Sequence, residues 1–176
     1  MEVKSAIAVA AVLAATSLGI PPATSAGPGG SDAALADALE RVEVSLERGL
    51  AASSREGTPI SAKYELLEDD DADELRISVY TTRGGSFAKV IIDCMTGKIA
   101  AVVPIAYGEE LAAAERQSKA MAQAKRSLEA ATVQAVSAHS GYRAMSARPD
   151  LQDGRPLAKV ILVDGSVWKT VYETLD

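Results

Sequence analysis

The sequence predicts an α+β protein of two tandem modules, each a helix packed on a three-stranded antiparallel sheet. Three observations carry that expectation. Helix-forming stretches precede runs of β-branched residues, twice over. Gly-rich turn signals join consecutive strand-like runs. The second half repeats the first in element order and in short blocks of letters.

The N-terminus reads as a secretory signal peptide over residues 1–26. Residues 1–4 carry a lysine, residues 5–19 are almost purely apolar, and Pro21-Pro22 breaks the run. Thr24-Ser25-Ala26 then sets small residues at the −3 and −1 positions of a cut before Gly27. The apolar run is shorter than the roughly 20 residues a helix needs to cross a bilayer. No later segment is apolar enough to span one, so the expected mature chain is soluble and periplasmic or secreted.

Residues 27–30 read as a flexible leader, 31–106 as the first module and 107–176 as the second. In the first, Ser31 or Asp32 can cap a helix whose Leu35, Leu39, Val42, Leu46 and Leu50 recur every three or four residues. Gly57 and Pro59 end it. Strands are expected at 60–67, 74–82 and 86–94, the last two joined by Arg83-Gly84-Gly85. Met95-Thr96-Gly97-Lys98 turns the chain into a short apolar run at 99–105. An Ala-rich helical stretch follows over 108–138, long enough that a break is expected near 125–128. Gly141 stops it. Strands are expected at 142–148, 157–163 and 166–174, with Asp164-Gly165 as the last hairpin signal.

The two halves can be laid over each other. Gly85-Ser86-Phe87-Ala88-Lys89-Val90-Ile91-Ile92-Asp93 matches Gly165-Ser166-Val167-Trp168-Lys169-Thr170-Val171-Tyr172-Glu173 without a gap. Upstream, Ile60-Ser61-Ala62-Lys63 matches Met145-Ser146-Ala147-Arg148. The spacing difference falls in the loop between the first and second strands, where length changes are tolerated.

Ser127-Leu128-Glu129-Ala130-Ala131, through Gly141-Tyr142-Arg143-Ala144-Met145-Ser146-Ala147, to Asp153-Gly154-Arg155-Pro156 resembles a PepSY module. Val90-Ile91-Ile92-Asp93-Cys94-Met95-Thr96-Gly97-Lys98-Ile99 resembles the ending of such a module: a strand, Asp, two variable residues, Thr-Gly and an apolar residue. The second copy departs from that pattern, because Asp176 is reached before any Thr-Gly turn. The resemblance implies an inhibitory or binding role, restraining an envelope peptidase or binding another envelope component. Surface recognition would be its mechanism. The candidate contact groups are the hairpin tips Arg83, Gly84 and Gly85 and Asp164 and Gly165, together with Trp168. An envelope ligand or polymer binder and a structural adaptor are the alternatives.

Composition argues the same way. With 24 Asp and Glu against 18 Lys and Arg, the net charge of −6 does not suit a nucleic-acid partner. There is one cysteine, Cys94, so no internal disulfide can form; its place at the end of an apolar strand suits a buried small hydrophobe. His139 is the one histidine and sits at a helix end, where a cation suits the helix dipole. One His and one Cys far apart make no zinc or copper ligand set. The acidic run Glu68-Asp69-Asp70-Asp71-Ala72-Asp73-Glu74 lacks the alternation and glycine of a calcium loop and reads as a solvated connection. No nucleotide fingerprint appears. The expectation is a protein with no catalytic residues, metal or cofactor.

Overall fold

A computed structural model describes residues 30–69 and 72–176. The expected signal peptide, and most of the expected leader, lie outside the described residues, as do Asp70 and Asp71 of the acidic run. Four helices and seven strands follow in the order α1 (Gly30–Leu39), α2 (Leu46–Ser53), β1 (Thr58–Asp69), β2 (Ala72–Arg83), β3 (Ser86–Asp93), β4 (Ile99–Ile105), α3 (Gly108–Met121), α4 (Leu128–Ser137), β5 (Arg143–Gln152), β6 (Arg155–Asp164) and β7 (Val167–Thr174). No helix among the described residues is long and apolar enough to cross a membrane.

The expectation of two tandem modules, each with its own three-stranded sheet, is overturned. All seven strands form one antiparallel sheet in the order β4-β3-β2-β1-β5-β6-β7. The reason lies in the edges. A separate sheet in each half would leave β1 and β5 with a row of unpaired backbone groups. Here these two strands pair with each other, Ala62 opposite Ala147 and Lys63 opposite Ser146. One continuous core from both halves covers the joint, with Leu46, Leu50, Ile77, Val79, Val90 and Ile92 from the first and Leu128, Ala147, Val160 and Leu162 from the second. The apolar run at 99–105 is also more than a connection: it pairs with β3 as an edge strand.

The internal repeat is visible as register. Ala62 stands opposite Val79, which stands opposite Val90; Ala147 stands opposite Val160, which stands opposite Val171. The same bulge interrupts both halves, leaving Ile60 and Met145 as the extra residues. The turns, however, shift the letter match by one. Gly84 and Gly85 lie between paired Arg83 and Ser86, and Gly165 and Ser166 lie between paired Asp164 and Val167, so Gly84 corresponds to Gly165. Letters in β-rich stretches slide easily, whereas a one-residue slip would turn every side chain to the other face.

The first helical stretch is not continuous. It breaks at residues 40–45, and Ser45 caps α2 by accepting from the Arg48 amide. Ser127 caps α4 in the same way, accepting from Ala130. Matching tethers hold both connections to the sheet: the Val44 amide donates to the Cys94 carbonyl and the Arg126 amide to the Leu175 carbonyl, each at 3.0 Å. Both helices then bury a leucine, Leu46 and Leu128, in the shared core. Small residues at the contact, Gly49 on α2 and Ala131 and Ala135 on α4, let the helices approach the strands closely.

Alternation along β1 sends Ala62 and Tyr64 into this core and Ser61, Lys63 and Glu65 to the other face. α3 reaches that second face. Its Gln117 Oε1 accepts from the Ser61 hydroxyl at 2.8 Å, and its Glu110 Oε1 from the Tyr80 hydroxyl at 2.9 Å. The sheet is therefore covered by α2 and α4 on one side and only partly by α3 on the other.

Candidate functional site

The predicted contact groups do not come together. Gly84 and Gly85 form a two-residue turn with φ of 59° and 83°, the left-handed region that favours glycine. Arg83 beside them donates to the Arg55 carbonyl. Asp164 and Gly165 lie at the β6–β7 tip, near Gly141. Since β2 is antiparallel to β1, β1 to β5 and β5 to β6, these two tips point to opposite ends of the sheet. Trp168 is half-buried and packs against the core, with its indole Nε1 buried and without a hydrogen-bond partner among the described residues. The six residues thus make no single recognition surface.

Two other singled-out residues have local roles. Cys94 is buried, and its Sγ lies 2.8 Å from the Leu75 carbonyl oxygen. His139 Nδ1 lies 2.8 Å from the Ala135 carbonyl oxygen of its own helix, and the ring meets Tyr142 edge-on. Among the described residues no three His, Cys, Asp or Glu side chains group as a metal site requires.

What the fold does build is a groove on the partly covered face. It encloses about 660 Å³ between α3 and strands β1, β2, β5 and β6, with Ser61, Lys63, Tyr80, Ser146, Arg148 and Ile161 on the sheet side. Glu109, Glu110, Ala113, Arg116 and Gln117 line it from the helix. A second recess of about 390 Å³ continues past Lys119, Pro149, Asp150 and Leu151 and shares Ala113, Arg116, Gln117 and Arg148 with the first. Strand alternation explains the floor: Ser146 and Arg148 flank buried Ala147, as Ser61 and Lys63 flank buried Ala62.

Charge is satisfied at one end of this groove and open at the other. Glu65 takes Lys63 at 2.5 Å, Lys89 at 3.2 Å and the Ser78 hydroxyl at 2.6 Å. Burial alone would raise the Glu65 carboxyl; the bonds from Lys63 and Ser78, with the charges of Lys63 and Lys89, outweigh it and hold the group below its ordinary value. Tyr80 is pushed well above its ordinary value by burial, then by the hydrogen bond to Glu110 and the nearby acidic charge. Lys89 also lies 3.7 Å from Glu110 and over the Tyr80 ring. Toward β5 and β6, by contrast, Arg116, Arg148 and the Ser146 hydroxyl have no side-chain partner among the described residues. These groups can donate hydrogen bonds to acceptor oxygens.

Sequence reasoning missed the groove because its lining comes from four separate strands and a helix. One signal was present. The matched blocks Ser61-Ala62-Lys63 and Ser146-Ala147-Arg148 set a hydroxyl and a cation on the same strand face in both halves. Comparison with protein-family models, with curated proteins and with solved structures finds no match to this chain.

Proposed function

We propose that the chain is an exported, non-enzymatic binding protein that recognises its partner through the groove between α3 and the sheet. The observation that carries this reading is the open stretch of floor at Ser146, Arg148 and Ile161 beside a fixed helix wall. A concave site with a few directed polar groups and an apolar floor is the usual form of a recognition site. The PepSY resemblance of the sequence makes an envelope peptidase the first partner to seek, restrained by occupation rather than by reaction. Export itself rests on the signal-like residues 1–26.

A pull-down from an envelope extract with the purified protein tests the reading. Enrichment of one peptidase, followed by loss of its activity on titration, is the expected result. Failure to enrich any protein removes the partner-binding reading. The groove volume also suits a small ligand or a polymer end. Thermal stabilisation by cell-wall fragments, with none by a peptidase, would move the function to that class.

A further inference from the structure

We infer that the β5–β6 end of the groove docks an acidic segment of the partner protein, held by its carboxylates on Arg116 and Arg148. The inference rests on the binding reading above and names the chemistry recognised.

The internal repeat shows what is missing. Ser61 and Ser146 are equivalent positions, as are Lys63 and Arg148, about the facing alanines Ala62 and Ala147. In the first half both polar groups are satisfied within the chain by acceptor oxygens. Gln117 Oε1 accepts from Ser61 and the Glu65 carboxylate holds Lys63. In the second half the corresponding hydroxyl and cation line the groove with no such partner among the described residues. Asp150 stands where Glu65 stands in the first half, but it is one methylene shorter. It makes no ion pair with Arg148; its Oδ1 accepts instead from the Leu151 amide at 2.9 Å.

Arg116 adds a second guanidinium at the waist where the two recesses meet. It immediately precedes the Gln117 whose side chain accepts from Ser61, so it sits on the turn of α3 that is tied to the sheet. Two guanidiniums and a hydroxyl around an apolar floor match carboxylates on an extended or turned segment, each able to accept a forked pair of hydrogen bonds. Glu109 and Asp150 at the margins disfavour a ligand whose negative charge is spread beyond that waist. The chain is acidic overall, so two arginines with no acidic partner among the described residues are a selective feature on a surface that otherwise repels acids.

The test is a fluorescence-anisotropy titration of the whole protein with a labelled peptide of alternating Glu and Ser, at low and high salt. Binding that weakens with salt is expected, and a Lys-Ser peptide should not bind. R116Q/R148Q should weaken binding about 100-fold, from roughly tenfold per charge-assisted contact. D150N should tighten it, and R83Q at the distant tip should leave it unchanged. No binding of the acidic peptide, equal binding of the Lys-Ser peptide, or an unchanged affinity in R116Q/R148Q each overturns the inference. Free glutamate competing as strongly as the peptide replaces a docked segment with a small carboxylate ligand. If R116Q/R148Q captures a partner from extract as well as the natural chain does, the binding function stands and this site falls.

Discussion

Ala62 of β1 stands directly opposite Ala147 of β5, and the two are also equivalent positions of the internal repeat. The joint between the halves therefore closes on a pair of methyl groups, both buried. Small side chains are needed there, because α2 and α4 both pack close to this seam. A147L should destabilise the protein by about 1–3 kcal/mol through overpacking. The urea midpoint reads the change; an unaltered midpoint would show a seam loose enough to absorb three extra carbons.

One sheet and one core imply one unfolding event. Trp168, the single tryptophan, reports on the second half, and far-ultraviolet circular dichroism reports on the whole. Their urea transitions should coincide. Separated transitions would mean that the two halves melt independently despite the shared strand pairing.

Gly49 sets a second close contact. A Cβ added there would lie 2.9 Å from Ile77 Cγ2, closer than side-chain carbons pack, and Ile77 is itself fully buried. Alanine would gain about 1 kcal/mol in helix propensity, against an overpacking cost of about 1–3 kcal/mol. G49A should therefore lower stability by about 1 kcal/mol. A raised Tm would show that the helix can shift away from β2.

Tyr64 donates its buried hydroxyl to the Val44 carbonyl at 2.5 Å. Burial pushes the hydroxyl well above its ordinary value near 10, and the charge of Arg143 only partly offsets this. The unfolded chain therefore releases the proton first as pH rises. Stability is fully present below about pH 10 and is lost progressively above it. Tyr80 adds in the same direction. Y64F should cost about 1–2 kcal/mol near neutral pH and should flatten the alkaline fall. Urea midpoints across the alkaline range check both parts.

Glu65 gives the opposite dependence. Its carboxyl is held below the ordinary value near 4.5, so its contribution is present above that pH. It is lost as pH falls through the folded-state value. E65Q should be less stable at neutral pH and should lose less on acidification. Parallel acid profiles for both proteins would show that the bonds from Lys63, Lys89 and Ser78 contribute nothing net.

The Asp93-to-Gly97 pattern that carried part of the PepSY resemblance has a plain structural role here. Asp93 Oδ1 accepts from the Met95 and Thr96 amides, and Gly97 turns the chain with φ of 72°. Those amide bonds hold the Asp93 carboxyl below its ordinary value. The motif is thus an Asx-type turn that launches β4.

Much of the local structure was written in the sequence. The strand-like runs at 74–82, 86–94, 157–163 and 166–174 fall on β2, β3, β6 and β7 to within a few residues. Gly84-Gly85 and Asp164-Gly165 marked the hairpins, and the long Ala-rich stretch did break, between Met121 and Leu128. The break at Ser45 was equally legible, because Ser45-Leu46-Glu47 repeats as Ser127-Leu128-Glu129, but an unbroken 3.6-residue pattern from Leu35 to Leu50 hid it. These features depend on contacts within a few residues, so neighbouring letters suffice to specify them.

Only the tertiary structure decided the rest. Whether β1 and β5 pair with each other, which end of the sheet each hairpin tip occupies, and which face α3 covers all depend on contacts between residues far apart in the chain. An edge strand carries no mark naming its neighbour: the backbone groups of β1 would satisfy those of any strand, and the shared apolar core selects β5. The groove follows from that choice, since Arg116 and Arg148 line one recess only where α3, tied to the sheet by Gln117, lies over strands from both halves.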